Sequence, residues 1–219
     1  MSDTKLELGD KNGSVDKAPS APSAPPPPSA VPGNPTPGGM FAFAGTTFLM
    51  TLYNLNAGGV TVPNVLVGML VFAGGITLML VALLEYIRGN SLFATCFLTF
   101  STFWFSYSAV ITPSFGVLAA FSETPEQIGK ALGLYLFVYW ITITCLFIAV
   151  LGKSKLFTVL LFFASLGVLL LACGQYTGNS KIGIAGNSCL LIVVAEAYYI
   201  GLAGLLASEP NPLFLLPFF

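Results

Sequence analysis

From Gly38 onward, long apolar stretches alternate with short breaks rich in glycine, proline and charge. Five stretches, Val65–Tyr86, Leu92–Ile111, Leu132–Leu151, Leu156–Gln175 and Ile182–Ala207, reach the roughly 20 mostly apolar residues a helix needs to cross a bilayer. A first stretch, Phe41–Leu55, is shorter. It spans only if the approach Gly38-Gly39-Met40 is also helical, or if it lies deep in protein. None of the stretches alternates with period two, which excludes a barrel. Helices remain, because backbone groups in lipid must find partners within their own segment. The pattern therefore predicts an all-α membrane protein, a six-transmembrane-helix bundle over residues 38–208, with a short C-terminal segment at 209–219. Gly58-Gly59 with Pro63, Arg88-Gly89-Asn90, Pro113 with Glu123–Gln127, Gly152-Lys153-Ser154 and Tyr176–Lys181 separate the spans.

Residues 1–37 break the pattern. Nine of the fifteen prolines lie there, including Pro25-Pro26-Pro27-Pro28, and large apolar residues are almost absent. Such a segment cannot bury enough surface to offset its ordering entropy, so a disordered, cytosolic tail is expected. It lacks the apolar core of a signal peptide. Asn12-Gly13-Ser14 forms a glycosylation sequon, expected to be unused in the cytosol.

Composition narrows the function classes. The chain of 219 residues is 55% hydrophobic and only 8% charged, against about 25% in soluble domains. A net charge of −1 leaves no basic face for nucleic acid. The absence of histidine rules out a Ser-His-Asp triad and any His-ligated metal. No nucleophile–base pair or cofactor motif can be assembled, so neither an enzyme nor a bound cofactor is expected. Cys96, Cys145, Cys173 and Cys189 read as packing residues in the spans. Six spans place both termini on one side. With the tail inside, the inner face carries Arg88, Lys153 and Lys155 and the outer face Lys130 and Lys181, so both termini are expected in the cytosol.

Polar groups at membrane depth are the candidates for a site. Glu85 closes the second span and pairs at i+3 with Arg88, which reads as a structural ion pair. Glu196 lies midway along Ile182–Ala207 with no basic partner in its helix. A carboxyl there must be protonated, hydrogen-bonded or wet, and either proton coupling or an interhelical bond would satisfy it. Tyr199, at i+3, shares its face. The run from Phe97 to Ser108 interleaves rings with hydroxyls, fitting either a packed core or a narrow pore wall. Asn34, just before the first span, can cap it and help offer N–H groups to a small anion. Small residues, including Gly74, Gly75, Gly129, Gly133, Gly167, Gly174, Gly201 and Gly204, mark close helix approaches.

Several blocks together resemble the acetate uptake transporter family, also called GPR1/FUN34/YaaH. They are Asn34-Pro35-Thr36-Pro37-Gly38-Gly39-Met40 with Phe43-Ala44, then Gly74-Gly75, Glu85, and Gly89-Asn90-Ser91-Leu92-Phe93-Ala94-Thr95. Phe103-Trp104, Leu170-Leu171-Ala172-Cys173-Gly174 and Ala197-Tyr198-Tyr199 follow in order. The resemblance implies a ring-like homo-oligomer, a hexamer in the family, with one path inside each subunit. It implies uptake of acetate and similar monocarboxylates, coupled to protons or channel-like. The family narrows its path with a Phe, a Tyr and a Leu. Here these positions hold Phe43, Phe100 and Ala164, while Ala197 matches an Ala that influences substrate size. Gly38 and Met40 replace signature leucines, and Leu78 replaces a glutamine. The long Pro-rich tail is similar to that of fungal members, and a plasma-membrane location is expected.

The expected partners are thus small carboxylic acids, protons, the lipid bilayer and further copies of the chain. Two other readings compete: an ammonia or ammonium channel or exporter, and a non-transporting sensor or assembly protein. The lack of a second deep acid beside Glu196 weighs against holding ammonium.

Overall fold

The computed structural model describes residues 33–60 and 62–217. Six long helices carry the fold: α1 (Thr36–Asn54), α2 (Asn64–Ile87), α3 (Ser91–Ile111), α4 (Glu126–Val150), α5 (Lys155–Thr177) and α6 (Ser180–Ser208). There is no strand among the described residues. The five helices α2 to α6 are long and apolar enough to cross a membrane.

The first helix meets both conditions its short apolar run imposed. It begins at Thr36, so Thr36 and Pro37, assigned to the tail from the sequence, form its first turn. Proline is at home there, where its missing N–H would have no intrahelical partner. The helix also lies deep in protein. Met40, Phe43, Ala44, Thr46, Thr47, Met50 and Thr51 are all buried. The three threonine hydroxyls donate to the carbonyls of Ala42, Phe43 and Thr47 at 2.8, 2.8 and 2.7 Å, which removes the penalty of burying them. The disorder and the sequon expected in residues 1–32 lie outside the described residues.

Glycine sets how closely the helices approach. A Cβ on Gly133 would come within 2.8 Å of Tyr176, and one on Gly174 within 2.8 Å of the Gly183 backbone. These contacts bind α4 to α5 and α5 to α6. Gly201 and Gly204 bring α6 against Phe41 and Pro37 of α1, while Gly74 and Gly75 seat Trp104 and Phe105 of α3 on α2. The α2 glycines lie in a stretch, Met69–Thr77, whose backbone is wound as a π-helix, with bonds from i to i+5. Ser101 locks this stretch to α3 by donating to the Gly75 carbonyl at 2.8 Å.

Backbones stay farther apart where α3 faces α4. Those two helices meet through aromatic side chains: Phe103 stacks on Tyr135 (5.9 Å between centroids) and meets Tyr139 edge-on (4.9 Å). This is the wall behind which the interior opens. The outward faces of α2 and α4 are apolar, with Phe72, Leu80 and Ile87 on one and Leu134, Val138 and Ile141 on the other. Cys145 also faces out, so it is not an internal packing residue. After α6 the chain is irregular to Pro217, whose carbonyl accepts the Tyr199 hydroxyl at 2.8 Å.

Candidate functional site

A line of cavities runs along α1. At the Asn54 end lies a vestibule of about 460 Å³. Its polar lining comes from Asn54, Asn56, Gln175, Asn179, Ser180 and Asn187. The vestibule shares Asn54, Leu171 and Gln175 with an inner chamber of about 70 Å³. That volume holds a few waters or a small acid. Among the described residues, no Asp, Glu, Lys or Arg lines either space.

The chamber wall is built on helical spacing. Phe100, Phe103, Trp104 and Tyr107 stand at i, i+3, i+4 and i+7 of α3, so they form one stripe. The two readings of the aromatic run therefore coincide: the same rings are core on one side and cavity wall on the other. Tyr135 and Tyr139 of α4, at i and i+4, complete the wall. The Ser106 hydroxyl lies 2.7 Å from the Tyr135 hydroxyl and 3.2 Å from that of Tyr139, which fixes both rings.

Three sequence candidates meet at the chamber floor. Phe43, Phe100 and Ala164 all line it, and the Phe43 and Phe100 rings lie 4.6 Å apart. The same two rings also bound a smaller void of about 20 Å³, with Phe93, Cys96, Phe97 and Phe157. The pair is thus the partition between two spaces. Ala164 is 2% exposed and adds little bulk, so the narrowing is the work of the two rings. Beyond the smaller void, Phe93 and Phe157 meet edge-on at 4.3 Å.

The remaining candidates lie elsewhere. Ala197 shares the face of Leu190, which does line the chamber, but stands two helical turns further along. There α1 packs directly on α6, so Ala197 is fully buried between helices and does not line the chamber. Tyr199 does not line it either, because its hydroxyl is engaged by Pro217. Glu196 is also off the chamber, and its Oε2 is buried without a hydrogen-bond partner among the described residues.

Asn34 sits at the opposite end of α1 from the vestibule. It is not the N-cap expected from the sequence: Pro35 holds that position without a side-chain cap, because the helix begins at Thr36. The Asn34 Oδ1 instead accepts the Thr36 N–H at 3.2 Å and Arg88 Nη1 at 2.8 Å. Glu85, fully buried, accepts from the Thr36 hydroxyl and from Asn90 Nδ2 at 2.9 Å, with Arg88 Nη1 at 3.6 Å. Asn34, Glu85 and Arg88 are therefore one polar cluster joining the start of α1 to the α2–α3 turn, apart from the Phe pair.

Sequence reasoning passed over Asn54, Gln175 and Asn187, the amides of the vestibule, and the pair Tyr135 and Tyr139. A signal for the tyrosines was present, because two phenols at i and i+4 within an apolar span share one face. The amides sit at the ends of three separate runs, and nothing along the chain links them.

Residues 17–219 match the profile of the GPR1/FUN34/yaaH family. The chain is 32% identical over 185 residues to "Ammonia transport outward protein 2" of Saccharomyces cerevisiae, covering 84% of this chain and 66% of that one. It is 30% identical over 194 residues to "Acetate permease A" of Emericella nidulans, covering 84% and 65%. The chain thus spans about two thirds of the length of these curated relatives. A solved structure described as that of the bacterial acetate channel SatP superposes with a TM-score of 0.74 at 27% identity, over 85% of this chain and 98% of that one.

Proposed function

The chain belongs to the GPR1/FUN34/yaaH family, and from that premise we propose that it carries acetate and similar short monocarboxylates across a membrane, through a path inside each subunit. The observation that carries this reading is the lining of the two cavities. It offers amide and phenol donors but no fixed charge before the apolar partition at Phe43 and Phe100. A short carboxylic acid titrates close to Glu, about 4.3, so near neutrality it is almost all anion. Neutral donors bind such an ion loosely enough to release it, and an apolar narrowing favours its protonated form or the anion moving with a proton. Relatives named for acetate and a structural neighbour described as an acetate channel support the same substrate class.

In this reading Phe43 and Phe100 are the constriction and Ala164 sets the size limit beside them. Ala197 acts on the path only through the packing of α1 on α6. Asn34, Glu85 and Arg88 hold the inner end of the bundle. Glu196 is the group assigned to proton coupling, motivated by the unpartnered oxygen at its tip. Copies assemble into a ring-like hexamer in the plasma membrane, with both termini in the cytosol.

The test is labelled-acetate flux into liposomes holding the purified chain, with and without an inward proton gradient. Flux that rises with the gradient is expected, and absence of acetate flux in either condition overturns the reading. The relative named for ammonia favours a second reading, ammonia or ammonium passage. Against it, neither cavity has a carboxylate among the described residues to hold a cation. Methylammonium flux in the same vesicles separates the two.

A further inference from the structure

Vestibule and chamber meet at Asn54, Leu171 and Gln175, and one side-chain bond crosses the helices there. Asn54 Nδ2 donates to Asn187 Oδ1 at 3.1 Å, and Asn187 Nδ2 donates in turn to the Gly183 carbonyl at 2.9 Å. The two asparagines are not equivalent. Asn187 is 4% exposed, with both ends of its amide engaged. Asn54 ends α1, faces the open vestibule and spends one N–H on Asn187. Its second N–H and its Oδ1 have no partner among the described residues. One asparagine is thus a fixed post and the other a movable arm resting on it.

The chemistry of the arm fits a carboxyl group. An amide N–H donates to a carboxylate oxygen, and an amide oxygen accepts from the O–H of the protonated acid, so both forms find a complement. The bond that must open is neutral. A single bond of that kind shifts an equilibrium by only about two- to thirteen-fold. Because no charged side chain among the described residues lines this junction, the amides are the strongest polar groups of the described lining that an incoming acid meets before the tyrosines.

We propose that Asn54 is the selectivity residue at the mouth of the chamber. Its side chain swings from Asn187 to donate to an oxygen of the passing carboxyl group, and returns when the acid has moved on. Asn187 is the positioning residue that holds it between passages. The proposal rests on the monocarboxylate reading above.

The experiment measures KM and Vmax for labelled acetate in liposomes containing the full chain and its variants. Asn54→Leu removes the donor, and KM is expected to rise about fivefold. Asn187→Leu removes the competitor for that donor, and KM is expected to fall about twofold. A merely structural role for the bond moves both variants the same way, so shifts in one direction, or in neither, overturn the proposal. Asn54→Asp places a carboxylate before an anion. It is expected to lower acetate uptake at pH 7 at least tenfold while leaving methylammonium uptake equal or higher, and equal losses of both substrates count against the proposal. Should Asn54→Leu fail to insert, Asn54→Ser carries the same arm, with a shorter reach and an expected KM rise of about twofold. Absence of acetate flux in the unmodified chain overturns the substrate reading and this proposal together, whereas intact flux with parallel KM shifts overturns this proposal alone.

Discussion

The two ends of α1 are fastened by different physics. At its N-terminal end a fully buried carboxylate, Glu85, gathers Thr36 and Asn90, with Arg88 close by and bridged to Asn34. At its C-terminal end a single neutral amide contact ties Asn54 to Asn187. A fully buried carboxylate is expensive to leave without its donors, because its charge is desolvated. One amide bond nets only about 0.5–1.5 kcal/mol and can open on thermal fluctuation. The cavities follow the same asymmetry. They widen toward the amide end and close down to a void of about 20 Å³ between the Phe pair and the charged end. The lesson is that the helix beside the cavities is tied by a buried carboxylate at one end and by a neutral amide bond at the other.

The most forceful way to break this contrast is Glu85→Ala. It takes the charged acceptor from Asn90 and the Thr36 hydroxyl, while Arg88, partly exposed, keeps Asn34, and a loss of about 1.5–3 kcal/mol is expected, the scale of hydrogen bonds to a charged group. Thermal unfolding in detergent measures it. A midpoint within a degree or two of the unmodified chain would show that the carboxylate tie is no stronger than the amide one.

Asn34→Ala removes a shared acceptor but leaves the carboxylate paired, and about 0.5–1.5 kcal/mol is expected, the scale of a lost hydrogen bond. Uptake is expected to fall more than membrane expression; equal losses would reduce Asn34 to a folding role. At the amide end, Asn187→Leu is expected to cost about 1 kcal/mol or less. If it destabilises as much as Glu85→Ala, the two ends are mechanically alike and the contrast fails.

The smallest stability effect is expected at the partition between them. Ala164→Leu adds bulk beside Phe43 and Phe100, and its unfolding midpoint is expected to move little, since overpacking acts here against a cavity. Its effect falls on selectivity. Lactate is expected to compete with acetate in the unmodified chain and to lose that ability in Ala164→Leu. Unchanged competition would remove Ala164 from the path.

Most of the architecture was legible along the chain because membrane helices announce themselves by length and apolarity. The boundaries of α2, α3, α5 and α6 follow the apolar runs to within two residues, whereas α4 starts at Glu126, six residues before its run, because the polar turn at 126–130 is helical too. The glycines singled out from the sequence all lie at tight crossings, but Gly39 against Phe97 and Gly186 against Gly167 were passed over. The start of α1 was misplaced by two residues, since Thr36 and Pro37 look like the end of a Pro-rich tail until a helix is seen to follow them. The site was less legible. Phe43, Phe100 and Ala164, from three separate helices, line one chamber. Ala197, Glu196 and Tyr199 illustrate the limit. Helical phase says which residues share a face, but not which neighbouring helix covers that face. Asn54 and Asn187 stand 133 residues apart, and only the closure of α1 on α6 makes them partners.

The π-wound stretch of α2 has a bearing on which length changes this protein tolerates. Because Met69–Thr77 winds more residues into each turn than an α-helix does, the two halves of α2 are phased by that surplus. Removing one residue there lets the stretch relax to α pitch while the two halves stay close to their present phase, so Glu85 can remain among Thr36, Arg88 and Asn90. Removing one residue between Leu78 and Leu84, where the winding is already α, has no surplus to draw on, and everything downstream turns by about 100° and draws in by about 1.5 Å. Gly74 and Gly75 could then stay under Trp104 and Phe105, or Glu85 among its partners, but not both. A single deletion in α2 is therefore expected to be tolerated within Met69–Thr77 and to be disruptive between Leu78 and Leu84.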